Sequence, residues 1–147
     1  MAPLAGKYDV AFCAHVDSNV PLVLGDYEKT TRMLENLVSN AVKFTPDGGC
    51  VDLSVSFDTG ARTVTMAVSD TGIGIAAEDQ ERIFERFFQV DSSATRIYSG
   101  SGLGLALVRE YAVAQGYTVA VESVLGEGSA FTVRIPAAAV VELDEDE

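Results

Sequence analysis

Residues 50–70 constrain the fold most. Val51, Leu53, Val55 and Phe57 alternate with Asp52, Ser54, Ser56 and Asp58. After the turn Asp58-Thr-Gly60, Val64, Met66 and Val68 alternate again. A period of two puts all the apolar side chains of a strand on one side of its pleat. The segment therefore predicts a β-hairpin with one face to bury. An isolated hairpin is marginally stable in water, so other elements must cover that face. Residues 26–44 offer the cover. Leu34, Leu37, Val38 and Ala41 recur at i, i+3, i+4 and i+7, the apolar stripe of a helix. Thr45-Pro-Asp-Gly-Gly49 then ends the helix with turn residues.

The rest of the pattern adds strands over 8–14 and 20–24, a short helix over 78–88, a polar stretch over 91–101 and a helix over 103–115. Strands over 118–123 and 130–135 close the chain around the turn Gly126-Glu-Gly128. This order lacks the strict strand–helix alternation of a doubly wound parallel sheet. It predicts a two-layer α/β sandwich: a mixed, mostly antiparallel sheet of about five strands, with about three helices on one face. At 147 residues there is room for one domain of ordinary size. We expect that domain over residues 1–136 and an acidic tail or linker stub over 137–147.

The net charge of -12 argues against binding to a nucleic-acid backbone or an anionic membrane surface. Five of the acids lie in the last six residues, and the body without them is still acidic. An anionic ligand must therefore be held by local devices. No apolar run approaches the roughly 20 residues of a membrane span. The first residues do not resemble a signal peptide. Cys13 and Cys50 make neither a disulfide framework nor a metal spacing, and are expected as small buried hydrophobes. The one histidine, His15, has no Cys or His companion at zinc-ligand spacing.

Four segments carry residue types that suit chemistry. Asn36, Asn40 and Lys43 sit at i, i+4 and i+7 and so share one helix face beside the apolar stripe. Two carboxamide oxygens there suit a hard cation such as Mg²⁺, and the lysine suits phosphate; a plain solvated face would show the same spacing. Asp70-Thr-Gly-Ile-Gly-Ile75 follows a strand directly. A carboxylate at that strand end can accept a hydrogen bond from an exocyclic amine, selecting adenine over guanine. Gly72 and Gly74 let the backbone turn and approach a flat base closely, or simply serve a turn. Ser99-Gly-Ser-Gly-Leu-Gly-Leu105 enters a helix, where free N–H groups and the helix dipole favour phosphate. It is neither the dinucleotide fingerprint nor the P-loop, and a flexible linker would read the same. Ile83-Phe-Glu-Arg-Phe-Phe88 sets three aromatic anchors before the polar stretch, as the base of a mobile lid, as core, or as both.

Taken in order, Asn36-Leu-Val-Ser-Asn40, Asp70-Thr-Gly-Ile-Gly-Ile75, Phe84-Glu-Arg-Phe-Phe88, Gly100-Ser-Gly-Leu-Gly104 and Gly126-Glu-Gly128 resemble the N, G1, F, G2 and G3 boxes of sensor histidine kinases. The resemblance is to their catalytic ATP-binding domain and covers residues 8–136. It implies the sandwich read above, with an ATP lid between the F and G2 boxes. It implies that Asn40 coordinates the Mg²⁺ bridging the ATP phosphates, with Asn36 assisting. Lys43 contacts phosphate and Phe44 lies near the nucleotide, so Asn40 and Lys43 are the expected catalytic pair. Asp70 binds the adenine amine, with Gly72, Gly74 and Ile75 beside the base. Gly100, Ser101, Gly102, Leu103, Gly104 and Leu105 cradle phosphates and hinge the lid. Many members have an Arg in the F box where this chain has Gln89; Arg86, three residues earlier, is the candidate replacement. Gly116-Tyr117 stands where Gly-Gly is usual, a change expected to be structural.

The expected function is to bind Mg-ATP and donate its γ-phosphate to a histidine on a separate dimerisation and phosphoacceptor domain. A response-regulator receiver domain is the expected partner downstream. His15 lies in a strand pattern with no acid directly after it, so it is not the expected acceptor. The resemblance also implies a superfamily shared with DNA gyrase, a heat-shock chaperone and mismatch-repair ATPases, whose hydrolases and some other kinases place a Glu four residues before the metal-binding Asn; here that position is Asn36, and Glu35 is turned about 100° around the helix. Hydrolysis by this domain alone is therefore expected to be slow. The alternatives are a nucleotide-sensing module without transfer and an ATP-driven conformational switch of the hydrolase type. The expected setting is cytoplasmic, whether or not a membrane-bound sensor carries the domain.

Overall fold

A computed structural model describes residues 10–46, 48–85 and 104–141. In chain order the elements are β1 (Ala11–Val16), α1 (Tyr27–Lys43), β2 (Cys50–Asp58), β3 (Thr63–Asp70), α2 (Ala77–Gln80), α3 (Gly104–Gln115), β4 (Thr118–Val124) and β5 (Gly128–Ile135), followed by a 3₁₀ turn at Ala137–Ala139. The strands form one sheet in the order β1-β2-β3-β5-β4. Only the β1–β2 pair is parallel, so the sheet is mixed and mostly antiparallel as expected.

Register explains the two layers. Val55 faces Met66, Met66 faces Val133, and Val133 faces Val119 across four strands; Val68, Phe131 and Val121 form the next row. These rows share one face. The opposite face carries Ser54, Ala67, Thr132 and Ala120 in register. The apolar face is covered by α1 and α3, which pack on each other, with α1 against β2 and β3 and α3 against β4. Met33, Leu37, Val38, Ala41 and Val42 of α1 are buried there with Val108 and Ala112 of α3, and the Phe84 and Phe131 rings meet edge to face with centroids 6.0 Å apart.

The helix ends follow their chemistry. The Asp26 carboxylate caps α1 by accepting from the Lys29 N–H at 3.0 Å, which also holds its pKa below the usual value. α3 ends on Gly116 at φ +78°, with Tyr117 N–H donating to Ala112 O and Gly116 N–H to Val113 O. Tyr117 itself is buried, and its hydroxyl donates to Leu24 O at 2.7 Å. The side chain at the expected structural departure thus ties the end of α3 to the start of α1.

Four local expectations need correction. Segment 20–24 forms no strand; it makes a single antiparallel bridge, Val23 to Val140, flanked by Leu24 N–H to Ala139 O and Val141 N–H to Leu22 O. Cys13 and Cys50 are exposed. Their neighbours Phe12 and Val51 take the inward positions, and alternation turns both thiols outward. Among the described residues of the helix expected over 78–88, α helix is confined to Ala77–Gln80; Arg82 N–H to Asp79 O and Glu85 N–H to Arg82 O then close tighter turns. β1 runs to Val16 because β2 offers it partners through Val55. Residues 8–9, 86–88 and the polar stretch over 91–101 lie outside the described residues, as does the tail from 142.

Candidate functional site

The face of α1 that carries chemistry is set by the face that is buried. With Met33, Leu37, Val38, Ala41 and Val42 turned to the core, Asn36, Asn40 and Lys43 fall on its flank, all half-buried, while Glu35 is exposed. Among the described residues Lys43 forms no ion pair. An ideal Cβ built on Gly104 would lie 3.7 Å from Asn36 Oδ1, so the first residue of α3 stands against the asparagine row.

The loop after β3 is anchored on both sides. Ile73 N–H donates to Phe44 O at 3.2 Å, at the end of α1. On the other side Gly126 N–H donates to Ile73 O at 2.7 Å, and Ile75 N–H to Ser123 Oγ at 2.7 Å. Thr71 Oγ1 accepts from Cys50 N–H at 3.0 Å. Two glycines make the fit possible. A Cβ on Gly72 would stand 2.3 Å from Phe44 O, and one on Gly74, at φ +74°, 2.2 Å from Val124 O. The space each leaves is filled by protein backbone, so the loop needs them in order to fold.

Asp70 ends β3 on the inner face of the sheet. Its Oδ1 accepts from Gly72 N–H at 2.8 Å and from Ser129 N–H at 3.2 Å. Both bonds fall on Oδ1, and no hydrogen bond among the described residues falls on Oδ2. Burial raises the carboxyl pKa, and the two N–H donors only partly oppose it. Beside it, in register, are Ser129 and then Ser123. The apolar face of the sheet therefore ends in a polar row drawn from three strands.

Of the expected site residues, the structure thus joins Gly72, in the loop after Asp70, to Phe44 at the end of α1 and sets Gly104 of α3 against Asn36, with Asn40 and Lys43 on the same flank of α1. Gly100, Ser101, Gly102 and Leu103 lie outside the described residues, as do Arg86 and Gln89. The motif reading missed Ser123, Ser129 and Gln80. Ser123 and Ser129 carried a signal: each holds an inward position, next after Val121 and just before Phe131. Gln80 had none.

The donor set suits a hard cation held through phosphate. Carboxamide oxygens are hard ligands, and Mg²⁺ commonly takes only one or two protein ligands beside phosphate oxygens and waters. Among the described residues no cluster of three or more His, Cys, Asp or Glu forms a self-sufficient metal cage.

Residues 25–139 match the family model for histidine kinase-, DNA gyrase B- and HSP90-like ATPases. The chain is 45% identical over 133 residues to the sensor-like histidine kinase SenX3 of Mycobacterium tuberculosis, which spans 90% of this chain and 32% of that protein. It is 38% identical over 122 residues to the sensor histidine kinase WalK of Bacillus subtilis, covering 83% of this chain and 20% of that one. It therefore spans about a third or less of these relatives. Full-length ShkA in complex with AMPPNP superposes with a TM-score of 0.82 at 36% identity, over 97% of this chain and 28% of ShkA. The nucleotide-free catalytic domain of the histidine kinase ThkA superposes at 0.75 with 27% identity, over 92% of this chain and 84% of that domain.

Proposed function

This chain belongs to the histidine kinase-, DNA gyrase B- and HSP90-like ATPase family, and on that premise we propose that it is the ATP-binding catalytic part of a sensor histidine kinase. It binds Mg-ATP and donates the γ-phosphate to a histidine on a separate dimerisation domain, from which a response-regulator receiver domain takes it. One observation supports the reading: three segments far apart in sequence meet, the loop after Asp70 bonding to Phe44 at the end of α1 beside Lys43, and the start of α3 standing against Asn36.

Each residue has a task. Asp70 Oδ2 accepts from the adenine amine. The N–H bonds to Oδ1 hold the carboxylate in place, so it loses little entropy when the base arrives. Lys43, in the last turn of α1, neutralises phosphate charge. Asn40 and Asn36 offer oxygens to the Mg²⁺ that accompanies ATP; the ion supplies charge neutralisation at the phosphates. Gly104 leaves backbone N–H groups at the start of α3 accessible to phosphate. Gly100, Ser101, Gly102 and Leu103 extend that cradle in this proposal, with Leu105 beneath it. Transfer breaks the bond from the γ-phosphorus to the bridging oxygen and forms a P–N bond to the acceptor imidazole. Catalysis by this part is positioning and charge neutralisation.

Asn36 stands where a hydrolytic glutamate would, which favours transfer over hydrolysis. His15 is exposed on edge strand β1, with Nε2 2.9 Å from Asp17 Oδ1. We assign it no acceptor role. Among the described residues no helix is long and apolar enough to cross a membrane.

The test has two arms. Calorimetric titration should show binding of Mg-ATP. Labelled ATP with a supplied dimerisation domain should then place acid-labile phosphate on that domain and none on this chain. Stable label on His15, or no ATP binding, would overturn the reading.

A further inference from the structure

The two edges of the sheet differ in how they are guarded. The β4 edge carries the exposed acid Glu122, and α2 and α3 pack beside it. A polar knot holds its end: Gln80 Nε2 donates to Ile75 O and to Ser123 O, both at 2.9 Å, and Ser123 Oγ lies 2.8 Å from Ser129 Oγ. The β1 edge has none of these devices. Its strand, Ala11-Phe-Cys-Ala-His-Val16, holds no Lys, Arg, Asp, Glu or Pro, and among the described residues it pairs with β2 alone. An edge without charge, proline or cover is a template for another strand.

Register fixes what this edge offers. Ala11 N–H donates to Gly49 O and Asp17 N–H to Val55 O. Backbone groups alternate in direction along a strand, so Ala11, Cys13, His15 and Asp17 bond toward β2. Phe12, Ala14 and Val16 therefore turn their N–H and C=O groups to the open side. The same three residues lie on the inner, apolar face, in register with Val51, Leu53 and Val55. Phe12 is half-buried there, but Ala14 is exposed and Val16 is 60% exposed.

We infer that β1 is a self-association edge, on which a second copy of this chain adds its own β1 antiparallel about a twofold axis at Ala14. In that register Ala14 meets Ala14 of the second copy, and Phe12 meets Val16 in both directions. All three outward residues fall at hydrogen-bonded pairs, giving about six new hydrogen bonds. The side chains match as well as the backbone. Two small alanines sit at the centre, and each exposed Val16 covers the half-buried Phe12 of the other copy. A second copy suits this edge because the row reads large, small, large from either end. The strand is also free of formal charge, so the pairing brings no like charges together on an otherwise acidic chain. The inference rests on the sheet edge alone and holds whatever the crevice binds.

The experiment is sedimentation of the whole chain under reducing conditions at physiological salt, from micromolar to millimolar protein. The parent should pass from monomer to dimer. Ala14→Pro removes an N–H that points to the open side, so it costs no bond to β2 and should raise the dimer Kd by about tenfold or more. Val16→Lys, which puts a charge on the edge, should do the same, and it decides the matter if Ala14→Pro does not fold. Cross-linking tests the register. In a Cys13→Ser, Cys50→Ser background, Ala14→Cys would stand opposite its own copy with Cα atoms about 5.5 Å apart, within disulfide reach. His15→Cys in that background would be two places out of step, beyond the reach of about 7 Å. Copper-phenanthroline takes two electrons and two protons from a pair of thiols and should link the Ala14→Cys chains at least about tenfold faster than the His15→Cys chains. A parent that stays monomeric throughout, a dimer that neither edge variant weakens, or equal linking at both positions overturns the inference.

Discussion

At Asp70, burial and function pull in opposite directions. Burial raises its pKa, so the folded state disfavours the charged form. For an acid with a raised folded pKa, the stability contribution is complete below the ordinary value of about 3.9 and is lost as pH rises through the folded value. Asp70→Asn is neutral throughout and can keep both N–H bonds through its oxygen. Its melting temperature relative to the parent should therefore increase as pH rises from about 4 and then level off; thermal melts across pH check this. The same variant should bind ATP more weakly, because the amide turns an N–H toward the adenine amine. The glycines give a second contrast. A Cβ on Gly104 would meet only ordinary contacts, whereas one on Gly74 would collide with Val124 O. Gly104→Ala should melt as the parent does yet lose ATP affinity about tenfold or more. Gly74→Ala should lose the fold around the loop. Calorimetry beside circular dichroism separates the two outcomes.

At the scale of elements, α1 turns packing into chemistry. Its buried stripe sets the rotation that puts Asn36, Asn40 and Lys43 on the crevice side, so a defect in the stripe should be felt at the site. Leu37→Ala removes a fully buried side chain and should cost about 2–5 kcal/mol, measured by chemical denaturation. At the other end, the α3 terminus is tied back to α1 through Tyr117 and through Gln115, whose Oε1 accepts from Asp26 N–H at 2.5 Å. Tyr117→Phe should cost about 1 kcal/mol and leave nucleotide affinity unchanged, since the tie lies at the opposite end of α1 from Lys43. A large loss of affinity in that variant would refute a purely structural role for this departure from the family pattern.

For the whole molecule, ligand linkage gives the simplest readout. Mg-ATP at a hundredfold excess over its Kd should add about 2.7 kcal/mol of stability. Asn40→Asp should lose most of that gain while its ligand-free melt stays near the parent's. The acidic chain offers no general attraction for triphosphate, so affinity must come from Lys43, the metal and backbone N–H groups. Ala139, Val140 and Val141 pair back on segment 22–24, which fits a family match running to residue 139.

Periodicity was enough to read the layers, the helix and hairpin order and the flank of α1, because strand and helix periods are local properties of the chain. The box motifs pointed to Asn40, Asp70 and the glycines for the same reason: their spacing survives in one dimension. The limits of strand 20–24 and of the helix after Ala77 were not legible, since each depends on whether a neighbour supplies partners. Cys13 and Cys50 are exposed because strand alternation, not the hydrophobicity of the residue, sets which side each thiol faces. The knot of Gln80, Ser123 and Ser129 was decided only by tertiary structure. Its hydrogen bonds join residues about 40 or more positions apart to a cross-strand pair, and no local pattern encodes which of them meet.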